Sequence, residues 1–221
     1  MGYGIHILAK GPRACFTRPE MKSERVSYDC ITPSAARGLI ESVYWKPAIR
    51  WHIDRIEVLN EIRFDTFRRN ELGSKMPYQN AKKAMDKGAE IHAIASEDRQ
   101  QRATMYLKDV AYVIDAHFEL TDKAGVEDTV EKHYNIALRR FRKGQCFNQP
   151  VFGCREFPAD VILLDSTSEI PKSHYAGSGK HDLGFMLYDI DFEHDMEPMF
   201  YRAVMEDGAI DVARAREEVL R

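Results

Sequence analysis

From Met105 to Leu120 the chain alternates apolar and other residues almost without a break, through Met105, Leu107, Val110, Tyr112, Ile114, Ala116, Phe118 and Leu120. A period near two over that length puts one row of side chains on a single face of a strand. The expected strand, 102–120, is long enough to organise a sheet. The rest of the chain must therefore supply its neighbours and the helices that cover one face.

Residues 3–9 alternate loosely and stop at Lys10-Gly11-Pro12, which reads as a first strand. Thr32-Pro33 offers an N-cap followed by proline at the first helical position, and Leu39, Ile40, Val43 and Tyr44 recur at helical spacing, which predicts a helix over 33–45. Ile49, Trp51, Ile53, Ile56, Val58 and Ile62 predict one long strand to about residue 67, with a bulge near Asp54-Arg55. Residues 68–100 are polar and aperiodic, an insertion with a short helix near 78–86. Asp128-Thr129-Val130-Glu131 has capping-box spacing and opens a helix that ends at Gly144, while Val161-Ile162-Leu163-Leu164 supplies another strand. The order β-α-β-β-α-β is the split βαβ of a ferredoxin-like, RRM-like α+β domain over 1–165. Beyond it, 166–221 reads as a smaller β-rich domain with strands near 183–190 and 200–205. Residues 209–220 form a terminal helix or a loose tail.

Charge narrows the function classes. Residues 1–155 hold 26 Lys and Arg against 20 Asp and Glu, a net of +6, whereas residues 156–221 hold 6 against 15, a net of −9, which together restore the −3 of the whole chain. A basic N-terminal part is suited to a polyanion. No stretch approaches the roughly 18 apolar residues of a membrane span, and the N-terminal apolar run is too short for a signal peptide, so a cytoplasmic protein is expected. Cys15, Cys30, Cys146 and Cys154 contain no C-x-x-C pair and read as free thiols.

Several motifs can be set aside. Gly177-Ser178-Gly179-Lys180 lacks the first glycine and the final hydroxyl of a phosphate-binding loop and reads as a glycine turn. The acidic run from Asp189 to Asp195 lacks the spacing of a calcium loop and reads as a solvated turn. Lys132-His133 remains. A ring there, at the positive end of a helix and beside an ammonium, is placed to accept a proton, and the lysine can offset charge on a phosphate. An ordinary exposed Lys-His pair is the alternative. Tyr44-Trp45-Lys46-Pro47 is either core aromatic packing or a stacking platform beside a cation.

The order and separations of Glu41-Ser42-Val43-Tyr44-Trp45-Lys46-Pro47, Tyr106-Leu107-Lys108-Asp109-Val110, Lys132-His133-Tyr134 and Phe152-Gly153-Cys154-Arg155-Glu156 resemble the type I-C (Dvulg-type) variant of the fifth CRISPR-associated protein family. So do His181-Asp182-Leu183-Gly184 and Ala203-Val204-Met205-Glu206-Asp207-Gly208. The resemblance implies a RAMP-superfamily endoribonuclease that cuts the CRISPR repeat hairpin at the base of its stem, needs no metal or other cofactor, and stays on the guide RNA among the other subunits of an interference complex. It implies Tyr44, Lys132 and His133 as the catalytic residues. RNA contacts are expected at Trp45, Lys46, Lys108, Tyr134, Arg139, Arg140, Arg142, Lys143 and Arg155. A non-catalytic subunit that only holds the guide's 5′ handle is the rival reading, and duplex-DNA binding through the basic clusters is an additional role.

Overall fold

The computed structural model describes every residue except 1, 2, 22, 166, 193 and 221. In chain order the elements are β1 (Gly4–Ala14), β2 (Arg25–Val26), α1 (Pro33–Val43), β3 (Ile49–Val58), β4 (Phe64–Leu72), α2 (Tyr78–Lys87), β5 (Arg99–Leu120), α3 (Val130–Arg142), β6 (Asp160–Leu163), β7 (Lys180–Asp191), β8 (Glu197–Glu206), β9 (Ala209–Asp211) and α4 (Val212–Ala215). The alternating segment forms β5, whose 22 residues make it the axis of the sheet. Its second half pairs with β1 and β3, both antiparallel, and β6 lies antiparallel outside β1.

The apolar rows meet the helices on one face. Helix α1 buries Pro33, Ala36, Leu39, Ile40 and Val43, and α3 buries His133, Ala137 and Phe141. Each fully buried aliphatic side chain contributes about 2 kcal/mol by removal from water, and the sheet supplies Ile7, Trp51, Ile56, Tyr112 and Ile114 to the same core. The opposite face is polar near its centre, where His6 Nδ1 meets Asp115 at 2.6 Å and His117 Nδ1 meets Asp54 at 2.8 Å.

Four boundaries differ from expectation for identifiable reasons. Strand β1 does not stop at Lys10 but continues to Ala14. Pro12, which has no N–H to donate, lies opposite Asp109, whose φ of 52° already interrupts the ladder. The bulge between Ile53 and Arg55 is present, but residues 49–67 are two strands, because the chain turns after Val58 and restarts at Phe64. The two ends of the 68–100 insertion are strand: β4 pairs Phe64–Leu72 with Leu107–Arg99, forming a ribbon that carries α2 at its end. Both faces of β4 are largely exposed, so its sequence carries no apolar period. Residues 209–220 are neither one helix nor a loose tail: β9 pairs with β3, and Leu220 exchanges backbone hydrogen bonds with Phe200 at 2.8 and 2.9 Å.

The C-terminal strands thus extend the same sheet, in the order β6-β1-β5-β3-β9-β8-β7 among the described residues. Asp189, expected in a solvated turn, is buried against Arg37, whose guanidinium grips both carboxylate oxygens. All four cysteines are unpaired. Among the described residues no helix is long and apolar enough to cross a membrane.

One close approach fixes the loop after α3. Gly153 has φ of +81°, and a Cβ there would lie 2.0 Å from the Cys15 carbonyl oxygen. Gly153→Ala is expected to destabilise the protein by about 3 kcal/mol or more, combining backbone strain with a backbone clash. Urea denaturation measures it directly, and a loss below about 1 kcal/mol would contradict this packing.

Candidate active site

Tyr44 is the residue at which α1 ends. Its backbone is extended (φ −148°, ψ 116°) while its N–H still donates to the Ile40 carbonyl, so the side chain leaves the helical spiral. Trp51 on β3 pins the turn by donating from Nε1 to the Tyr44 carbonyl at 2.9 Å. Arg140 on α3 holds it from the other side, donating to the Val43 carbonyl at 3.0 Å with its guanidinium 5.4 Å from the centre of the Tyr44 ring.

Helix α3 starts one residue later than the capping-box pattern implied. Thr129 is the N-cap, accepting from the Lys132 N–H at 3.2 Å. That shift frees the Asp128 carboxylate, which accepts from the Gly125 N–H at 3.0 Å and lies 3.2 Å from His133 Nε2. The other ring nitrogen, Nδ1, is 2.7 Å from the Tyr44 hydroxyl oxygen. Phe118, near the end of β5, meets the imidazole edge to face at 6.4 Å between ring centres. Lys132 points outward, donating from Nζ to the Glu127 carbonyl at 3.1 Å and lying 3.6 Å from Asp128.

The protons of this chain of contacts follow from what each partner can do. The Gly125 N–H, helped by Lys132 and His133, holds Asp128 below the usual carboxylate range, so it is ionised and only accepts. Burial raises the Tyr44 phenol above its ordinary value, so it keeps its proton at neutral pH. In the neutral tautomer that matches these partners, Nε2 is the donor to Asp128 and Nδ1 the acceptor of the phenolic proton. Tyr44 and His133 are 1% and 2% exposed, so the alternative of an ordinary exposed Lys-His pair fits the lysine, which faces solvent, and not the histidine.

Of the other expected residues, some lie around this site and some do not. Trp45 follows Tyr44 and is 53% exposed, with Lys46 exposed beside it. Tyr134 is half-buried and packs edge to face on Tyr3 at 5.2 Å. Arg139, Arg142 and Lys143 are exposed, about 9 to 15 Å along α3 from His133 at 1.5 Å per residue. Arg140 is tied to the end of α1, as described above. Lys108 pairs with Asp65 at 3.4 Å and stands ten residues from Phe118 on β5, about 30 Å away. Arg155 is exposed at that remote end, next to Cys154, which receives a hydrogen bond from Arg25 of β2. Asp128 has the residue type and spacing of a helix cap, but the cap falls one residue later, at Thr129, and Asp128 faces His133 instead.

A family model described as CRISPR-associated protein (Cas_Cas5), Cas_Cas5d, matches residues 4–213. The "CRISPR pre-crRNA endoribonuclease Cas5d" of Mannheimia succiniciproducens is 54% identical over 215 residues, covering 96% of each chain. The protein of that name from Thermus thermophilus is 41% identical over 235 residues, covering 98% of this chain and 94% of its own. Among solved structures, one described as a CRISPR-associated protein superposes with a TM-score of 0.72 at 24% identity, covering 99% of this chain and 96% of its own. A functionally uncharacterized protein from Streptococcus mutans superposes with a TM-score of 0.67 at 26% identity over 99% and 97%. The chain belongs to the Cas5 family of CRISPR-associated proteins, in its Cas5d branch.

Proposed function

We propose that the chain is an endoribonuclease that cuts CRISPR repeat RNA once at the base of the hairpin, without a metal, and stays on the guide RNA among the other subunits of a type I-C interference complex in the cytoplasm. The observation that carries the reading is the 2.7 Å contact between Tyr44 and His133, side chains 89 residues apart that two helix ends bring together beside an exposed ammonium. Relatives at 54% and 41% identity that are named pre-crRNA endoribonucleases support the reaction class.

Cleavage without a metal uses the 2′-hydroxyl beside the scissile phosphate as nucleophile. The protein then has to remove a proton, hold the line of attack and offset charge on the phosphate. Lys132 is the charge stabiliser. In the free protein both nitrogens of His133 are engaged, and of the two partners Asp128 sits on the more exposed chain, between Thr121 and Thr129. The 2′-hydroxyl takes the place of Asp128 at Nε2. As Asp128 leaves, Nε2 gives up its proton to solvent and Nδ1 takes one from solvent, so the neutral ring donates from Nδ1 to Tyr44; Nε2 then receives the proton of the nucleophile and returns it to the 5′-oxygen as the P–O5′ bond breaks. Tyr44 thereby orients the base, much as a buried carboxylate orients the histidine of a serine protease.

Trp45, Lys46, Tyr134, Arg139, Arg142 and Lys143 form the surface along which RNA approaches, with Arg140 fixing α1 beneath it. Lys108 and Arg155 belong to a separate surface that can hold a distant part of the RNA, or duplex DNA. The strand order β6-β1-β5-β3 with α1 and α3 on one face is our basis for reading 1–165 as ferredoxin-like; 166–221 is the smaller unit, joined to it through β9.

Excess EDTA is expected to leave the cleavage rate within about twofold of its untreated value, since every group invoked is a side chain. Loss of activity in EDTA, restored by a divalent cation, would assign the cut to metal chemistry instead.

A further inference from the structure

At the other end of α1 from Tyr44, the chain leaves a cavity of about 360 Å³. It opens where β3 loses its outer neighbour: β9 covers Arg55–Glu57 only, so residues 50–53 form a bare edge. Its walls are the first turn of α1 (Pro33, Ser34, Arg37), Arg50–Ile53 of β3, Tyr188 and Asp189 of β7, Met199 of β8, and Val212, Arg216 and Val219 from the C-terminal segment.

The charges there are unequal in their commitments. Arg37 is neutralised, bound to Asp189 and lying 3.6 Å from Glu41. His52 Nε2 lies 3.4 Å from a Glu119 oxygen, outside hydrogen-bond geometry. Arg50 and Arg216 have no ion-pair or hydrogen-bond partner among the described residues, and both are exposed. Their charges reach the same walls: after the effect of burial, Arg216 is the next influence holding His52 below its ordinary value, and Arg50 acts in the same direction. Two exposed guanidinium groups outside any ion pair among the described residues, one of them acting also on Glu41, give the mouth of a half-apolar cavity a charge suited to an anion. The half-buried Tyr188 and Met199 give that anion a flat, apolar companion surface. A cavity of this size fits one nucleotide rather than a helix of RNA.

The distance is informative as well. Helix α1 has 11 residues, so the cavity lies about 16 Å from Tyr44 along its axis, within reach of a short single strand leaving the cleavage site. We propose that this cavity is a subsite for one unpaired nucleotide flanking the repeat hairpin, with its phosphate between Arg50 and Arg216 and its base against Tyr188 and Met199. The inference rests on the RNA-processing reading above. It extends that reading to residues outside the cleavage site, and single-stranded RNA is commonly held in this way, by splayed bases on aromatic faces and phosphates on arginines.

The test compares the full chain and its Arg50→Ala/Arg216→Ala variant, with Tyr188→Ala as a second variant that leaves both charges in place. Each is titrated with two RNAs, the repeat hairpin with its natural single-stranded flanks and the same hairpin trimmed to the stem base. The expected result is a loss of about tenfold or more in affinity for the flanked RNA in both variants. The advantage of flanked over trimmed RNA should shrink to near nothing. Replacing the flanking nucleotides one at a time with abasic units should then reveal one position that matters to the wild type and not to Tyr188→Ala. Wild-type affinity for flanked RNA in both variants would overturn the subsite. Tight binding of flanked RNA by the wild type with no cutting would count against the nuclease reading alone, because the subsite is read from binding.

Discussion

His133→Ala is expected to lower the single-turnover rate of repeat cleavage by about 10²- to 10⁴-fold, the usual worth of a positioned general base. The side chain is buried between Tyr44 and Asp128, so its removal also leaves two polar groups without their partner. Tyr44→Phe separates these effects. It keeps the ring in the core and removes only the hydroxyl that orients Nδ1, so the rate should fall while the melting temperature drops less than in His133→Ala, one buried nitrogen rather than two groups losing a partner. In both variants the affinity for repeat RNA should be largely retained, since neither side chain is on the surface that the RNA first meets. A His133→Ala protein that cuts within about threefold of the wild-type rate would remove His133 from the mechanism.

An equally large effect is expected on the substrate side. A single 2′-deoxy substitution at the nucleotide preceding the cut should abolish cleavage, because no other group in the proposed site supplies a nucleophile. Binding should be unchanged, since one hydroxyl among many contacts contributes little to affinity. The measurement is a pair of assays on the same modified RNA, one for cutting and one for binding. Undiminished cutting would mean that water attacks the phosphate, and the roles assigned to His133 and Lys132 would have to change.

How much of this was legible in the sequence depends on whether a residue signals its environment locally. Strand β5 was visible because one of its faces is apolar over most of its length. Helix α1 was visible because Thr32 and Pro33 mark its start and four apolar residues mark its face. Strand β4 is legible only in its first residues, as the tail of the strand expected to end near residue 67, for the opposite reason: Phe64–Leu72 is held by backbone pairing to β5 and buries little on either side. The closing of the sheet through β9 could not be read either, since three residues, Ala209–Asp211, carry no period.

The site divides in the same way. Tyr44 and the Lys132-His133 pair could be placed at helix ends from capping signals, but whether those ends meet is a property of the sheet between them. The spacing of Asp128 and Glu131 puts the cap one position too early, and that single residue separates a helix-capping carboxylate from one facing His133. Arg140, grouped with its basic neighbours as an RNA contact, turns inward to the end of α1, a direction that the run Arg139-Arg140-Phe141-Arg142-Lys143 does not announce.

The most direct test of the central claim is the chemistry of the two ends left by the cut. Mass spectrometry of the products of a defined repeat RNA should find a 2′,3′-cyclic phosphate on the upstream fragment and a 5′-hydroxyl on the downstream one, as attack by the 2′-hydroxyl through the Tyr44, Lys132 and His133 site requires. A 3′-hydroxyl opposite a 5′-phosphate would contradict it.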